Sequence, residues 1–181
     1  MFLLCGLGNK GAQYRYTRHN VGYLVVDLYA DRIGIPIARK LSKCIVGERD
    51  NLILAKPDTY MNLSGGPLAA LVRRQKIPLE NLVLIHDDLD MEFGRIKIRW
   101  NGSDGGHKGV RSVVESLGSQ LFHRLKVGIG RDPLLPPEEY VLTRFKREEL
   151  EPLSEILDTA VDALHTLVTT GPAKAMSLYN R

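Results

Sequence analysis

Histidine paired with a carboxylate is the side-chain combination in this chain best suited to moving a proton near neutral pH. Five histidines occur: His19, His86, His107, His123 and His165. His19 ends a polar loop just ahead of a helical pattern, and Asp87 closes the apolar run Leu82-Val83-Leu84-Ile85-His86. A carboxylate accepting one ring N–H would fix the tautomer of His19 and raise its basicity. The other ring nitrogen could then take a proton from water, which is general base catalysis without a nucleophilic serine. His165 falls in a long C-terminal helical pattern and reads as a surface or packing residue. His123 stands just before a strand and has no evident partner.

Other polar groups stand at turns. Gly6-Leu7-Gly8-Asn9-Lys10-Gly11 follows the run Met1 to Cys5 and has the glycine spacing of a dinucleotide fingerprint. That fingerprint needs a helix starting inside the motif and an acidic residue about 20 positions on, at the end of a second strand. Here the helical pattern starts only near Asn20, and Asp27 and Asp31 lie within it or at its end, so nicotinamide cofactors are excluded. What remains is a tight turn presenting Asn9. Lys56 to Gly65 joins a strand to a helix, and Asn62 within it suits either orienting a carbonyl or ordering the loop. Ser64 lacks the G-x-S-x-G of a nucleophile elbow and reads as a helix cap. Gly105-Gly106-His107-Lys108-Gly109 is either a seat for a phosphate or carboxylate or an ordinary glycine turn. His86 and Asp87 are adjacent on a strand and point to opposite faces, so they do not share an ion. Asp88 and Asp90 read as turn and cap residues, and no metal site is expected.

The elements that must position these groups alternate. Residues 2–7 read as a buried strand, and Asn20 to Ile33 has helical spacing. Residues 42–48 and 51–56 form a hairpin around Asp50-Asn51, and a helix runs from Ser64 to about Gln75. Strands follow at 82–86 and 94–100, the second with one wet, basic face. A helix is expected from about Gly106 to Leu117, a strand over 124–129, and a loop at Pro133, Pro136 and Pro137. A long amphipathic helix from Glu148 to Thr169 ends at Gly171-Pro172, with a short helical turn over 173–179. The fold class is α/β: a single domain over residues 1–181, with a mixed twisted sheet flanked by helices and a C-terminal helical part from about 148.

Of 181 residues, 44% are hydrophobic and 25% charged, the balance of a globular protein. No apolar run approaches the ~20 residues of a membrane span, and the N-terminus lacks secretory-signal features, so a cytoplasmic, membrane-free protein is expected. Cys5 and Cys44 belong to no C-x-x-C or metal spacing and read as buried thiols. The net charge of +4 matters less than its distribution. Arg95, Lys97, Arg99, Lys108, Arg111, Arg124 and Lys126 cluster against only Asp104 and Glu115, which suits either a phosphate footprint or a solvated face.

Several blocks, in order, resemble bacterial-type peptidyl-tRNA hydrolase. They are Gly6-Leu7-Gly8-Asn9 with Tyr14, Thr17 to Gly22, Lys56-Pro57 to Ser64-Gly65, His86 to Asp90, Gly105-Gly106-His107, and Phe122 to Gly130. The resemblance implies hydrolysis of the ester joining a peptide to the terminal ribose of tRNA, recycling tRNA from aborted translation, with no metal or organic cofactor. It implies that His19 is the general base and Asp87 its partner. Asn9 and Asn62 would position substrate, Tyr14 would lie near the site, and Arg99 and Lys126 would clamp a tRNA phosphate. The protein is expected to act as a monomer and to grip tRNA through its backbone without reading bases. Two positions depart from the family pattern. Lys10 replaces a proline, and Lys108 replaces an asparagine thought to hold the attacking water or the substrate. Lys108 is larger and donor-only, suited to a tRNA phosphate or to a developing oxyanion. The competing readings are a non-catalytic RNA-binding relative, like the chloroplast intron-splicing members of the family, and a hydrolase of small esters. The set Asn9, His19, Asn62 and Asp87 argues against the first, and the basic cluster argues against the second.

Overall fold

The strand that opens the chain, β1 (Phe2–Gly6), is apolar throughout because it lies at the centre of a sheet covered on both faces. The computed structural model describes residues 1–180. Further strands are β2 (Arg39–Leu41), β3 (Cys44–Arg49), β4 (Leu52–Pro57), β5 (Leu82–Asp88), β6 (Ile96–Trp100) and β7 (His123–Gly128). They form one sheet in the order β2-β3-β4-β1-β5-β7-β6. The four central strands are parallel, while β2, β3 and β6 pair antiparallel at the edges. This is the mixed α/β sheet expected from the sequence.

Alternation along the strands divides the core in two. Leu4, Leu54, Val83, Ile85 and Leu125 face α1 (Val21–Ile33) and α5 (Leu150–Thr170). Leu3, Cys5, Ile53, Leu84 and Phe122 face α2 (Gly65–Arg74) and α3 (Lys108–Leu117). Cys5 and Cys44 are buried and unbridged. Two shorter helices, α4 (Pro137–Tyr140) and α6 (Pro172–Tyr179), complete the chain. No described helix is long and apolar enough to cross a membrane.

The chain leaves β1 through α1 toward β4, then returns across β1 through α2 to β5. Such a reversal opens a crevice at the carboxyl ends of the strands. The start of α1 is pressed into it. A Cβ on Gly22 would meet the Ile85 carbonyl and sit 2.7 Å from the Leu7 amide nitrogen. A Cβ on Gly6 would sit 2.7 Å from the Gly22 carbonyl carbon. Glycine is needed at both positions because backbone meets backbone, and the contact sets the height at which residues 19 and 20 stand over the sheet.

Several boundaries differ from the sequence reading for local reasons. The Ser64 side chain does not cap α2: its backbone already has helical angles, and its Oγ donates to the Met61 carbonyl at 2.8 Å. The Gly65 amide instead donates to Ser112 Oγ of α3, because Gly65 lies directly on that helix. Helix α3 starts two residues later than expected, since His107 occupies its N-cap. Helix α5 starts at Leu150 because Arg147–Glu149 forms a 3-10 turn. Strand β5 runs two residues further, to Asp88, and β6 begins two residues later than expected, at Ile96.

Gly22→Ala is expected to lower stability by about 1–3 kcal/mol in urea denaturation. Gly66, which has open space around its Cα, serves as the control. Gly66→Ala is expected to raise stability by up to ~1 kcal/mol. Equal effects of the two substitutions would contradict the close approach at Gly22.

Candidate active site

Asp87, at the carboxyl end of β5, is 2% exposed and accepts from two imidazoles. His19 Nδ1–H donates to its carboxylate at 2.9 Å from Oδ2 and 3.0 Å from Oδ1. His107 Nε2–H donates to Oδ1 at 2.8 Å. The tautomer of His107 follows from its other nitrogen, which accepts from the Gly109 and Val110 amides at 3.1 and 3.3 Å as the N-cap of α3. A nitrogen that accepts from two N–H groups carries no proton, so Nε2 must carry it. His19 donates through Nδ1, which leaves its Nε2 lone pair unused by any described group.

Burial works against charge on Asp87, but the fields of His19 and His107, with their hydrogen bonds, outweigh it. Its pKa is held well below the usual carboxylate range. His86, on the opposite face of β5, donates from Nδ1 to the Asp87 carbonyl at 2.7 Å and packs edge-on to His107, with centroids 4.9 Å apart. Burial first, then the adjacent His107, pushes its pKa down to about 3.

The backbone of His19 is held from the C-terminal side. Its amide donates to the Val141 carbonyl at 2.8 Å, and that of Arg18 to Thr143 at 3.0 Å. The Arg18 guanidinium forms a bidentate pair with Glu149 at 3.0 and 2.9 Å, with the rings of Tyr140 and Phe145 stacked against it. Asn20 binds the backbone of Asn9 twice, accepting from its amide at 2.9 Å and donating to its carbonyl at 3.0 Å. Asn9 Oδ1 accepts from the Met61 amide at 2.7 Å. That bond fixes the orientation of the Asn9 side chain, and its Nδ2 donors have no partner among the described residues.

The turn after β4 carries Asn62 and meets Tyr14 through Tyr60. Asn62 follows Met61 and is exposed. Tyr14 meets Tyr60 edge to face at 6.4 Å, and the Lys10 ammonium lies 5.3 Å from the centre of the same ring. Met61, Leu7 and His107 all converge on Gly109, so this turn also abuts the His107 side of the site.

The basic residues divide. The β6–β7 register sets Lys97 opposite Lys126 and Arg99 opposite Arg124, placing four cations on one sheet face. Lys126 Nζ donates to Asp88 at 3.1 Å, while Lys97 and Arg99 have no ion pair among the described residues. Arg124 is buried, donates to the Gly102 carbonyl at 2.6 Å and stacks on Phe122. Arg111 is bound to Asp104. Lys108 is exposed at the first position of α3 and has no ion pair among the described residues. The amides after it are taken by His107, so the glycine turn is not an open anion seat. Asp88 orders the following turn by accepting from the Asp90 amide, as expected.

Sequence reasoning did not place His107 with His19 and Asp87, nor Arg18 and Asn20 among the residues that hold the site. The one available signal for His107 was an acceptor side chain standing immediately before a helix start. His123 packs on Trp100 at 4.6 Å, and His165 meets the Tyr29 hydroxyl at 3.2 Å. His19, Asp87 and His107 also form the one trio among the described residues with atoms close enough to hold a metal ion. Their facing atoms are already joined as N–H···O bonds, and an ion would have to take the proton from His107 Nε2.

The low pKa of His86 makes stability depend on pH. The unfolded chain protonates His86 near pH 6.5 and the folded chain only near 3. Its stabilisation is therefore full above pH 6.5 and is lost as pH falls toward 3, by up to about 1.4 kcal/mol per unit. In urea titrations between pH 7 and 4.5, His86→Gln should lose stability less steeply than the unaltered protein. Parallel slopes would show that His86 titrates normally in the folded state.

Residues 3–181 match the family model described as peptidyl-tRNA hydrolase. A peptidyl-tRNA hydrolase of Geobacter sulfurreducens is 46% identical over 182 residues, covering 98% of this chain and 94% of the relative. That of Thermodesulfovibrio yellowstonii is 43% identical over 187 residues, covering both chains completely. The crystal structure of peptidyl-tRNA hydrolase from Acinetobacter baumannii superposes with a TM-score of 0.92 at 32% identity, covering 99% of this chain and 94% of that one.

Proposed function

This chain belongs to the peptidyl-tRNA hydrolase family, and we propose that His19 is the general base of its reaction, with Asp87 as the orienting acid. The enzyme is an esterase that splits the bond between a peptide and tRNA. His19 Nε2 removes a proton from water as the oxygen attacks the ester carbonyl. Asp87 holds the ring through Nδ1 and stabilises the imidazolium that forms. Collapse of the tetrahedral intermediate breaks the bond to the ribose oxygen, and the imidazolium returns the proton to that leaving oxygen. The products are a peptide acid and a tRNA with a free terminal hydroxyl.

The observation that carries this reading is the unused Nε2 of a histidine whose Nδ1 is held by a buried carboxylate. The free amide donors of Asn9 bind a peptide carbonyl beside it, and Asn62 acts from the adjoining turn. Tyr14 walls the opening against Tyr60. Arg99 and Lys126, with Lys97 opposite Lys126, supply the phosphate contacts, and Lys108 adds an unpaired cation at the start of α3.

The test is release of the acyl group from an N-blocked aminoacyl-tRNA by the purified protein. His19→Ala is expected to lower kcat/KM by at least ~10²–10⁴-fold, and a chelator to leave the rate unchanged. Near-normal turnover by His19→Ala would reject the base assignment. For the basic face, the Kd for tRNA should weaken with salt. Arg99→Ala should lower the slope of log Kd against log salt by roughly one, similarly for different tRNAs. A slope unchanged by this substitution would remove Arg99 from the phosphate clamp.

A further inference from the structure

We propose that His107 is a positioning residue that sets the basicity of His19, by donating a backbone-locked proton to the carboxylate that His19 also uses. The inference rests on the reading of His19 as the base. Two amides of α3 occupy His107 Nδ1, so the ring can meet Asp87 only as a donor from Nε2. Rotating the ring or moving the proton to Nδ1 would leave the helix start uncapped. A buried carboxylate bound to one imidazole would place its full charge on that ring. Here Oδ1 is shared, and the bond from His107, at 2.8 Å, is the shorter of the two at that oxygen. The charge that Asp87 offers to His19 is therefore divided between two donors.

No other described charge faces His19 to the same degree. From β5 the facing groups are Asp87 and, behind His107, His86. From the start of α3 it is His107, with ring centroids 4.8 Å apart. On its own turn Arg18 is neutralised by Glu149, and the segment over residues 141–143 offers backbone carbonyls. Lys108 is exposed beyond His107.

His107→Asn and His107→Ser test the idea, because both residues cap helices well yet are too short to replace Nε2 at Asp87. In each variant the acid limb of the kcat/KM profile on N-blocked aminoacyl-tRNA should move to higher pH, by up to about one unit. The His19 ring, followed by NMR without substrate, should titrate at correspondingly higher pH than in the unaltered protein. Either variant alone suffices if the other does not fold. Nitrogen NMR of the unaltered protein at pH 8 should show His107 protonated on Nε2 and bare on Nδ1. An Nδ1–H tautomer, or an unmoved His19 titration in a folded variant, overturns the proposal. A His19 titration that moves while the rate profile stays fixed supports the coupling and rejects His19 as the base, which separates the two claims.

Discussion

One buried carboxylate organises this protein's working end. Asp87 carries a charge with almost no access to water, which is tolerable only where the protein supplies the donors that water would have supplied. Two imidazoles do so, from opposite sides of the strand end. Each is rooted in a different helix start, His19 just before α1 and His107 at the cap of α3. Satisfying Asp87 therefore ties both faces of the sheet to the crevice at its carboxyl edge. The same bonds that make the charge tolerable leave one imidazole nitrogen free to do chemistry.

The rest of the scaffold holds that triad in register. Close backbone contact at Gly6 and Gly22 brings the start of α1 down onto β1 and β5. Asn20 then reaches Asn9, and Asn9 reaches Met61, so three loops share a chain of hydrogen bonds. From the far end of the sequence, the segment around Val141 to Glu149 grips Thr17, Arg18 and His19. The turn that leads into α5 is thus part of the support of the loop that carries His19. The carboxylate that neutralises Arg18, on Glu149, closes that turn.

The cations of β6 and β7 show how one strand pair divides its charges. Arg124 is spent internally on Gly102 and Phe122, and Lys126 partly on Asp88. Lys97 and Arg99 keep their charge for solvent or for an anion. A sequence count of basic residues overstates the available positive field, because it does not distinguish these cases.

Much was legible in the residues alone. Apolar runs of strand length, helical spacing and glycine punctuation set the order of nearly every element, because these patterns follow from local backbone periods. Failure of the glycine turn to open a helix excluded a dinucleotide site. His19 and Asp87 stood out by chemical type and place, and ordered motif blocks marked the family. The chain's folding decided what lies between distant residues. Short elements such as β2 and α4 have too few residues to show a period. Ser64 lost its cap role to Ser112 because Gly65 lies on α3. His107 joined the triad only because a helix 20 residues from Asp87 begins beside the end of β5. Hydrogen-bond partners more than a few positions apart are set by packing, and packing leaves no local trace in sequence. Residue types therefore named the candidate proton carriers, and tertiary structure alone settled which atom of each is bound and which is left free.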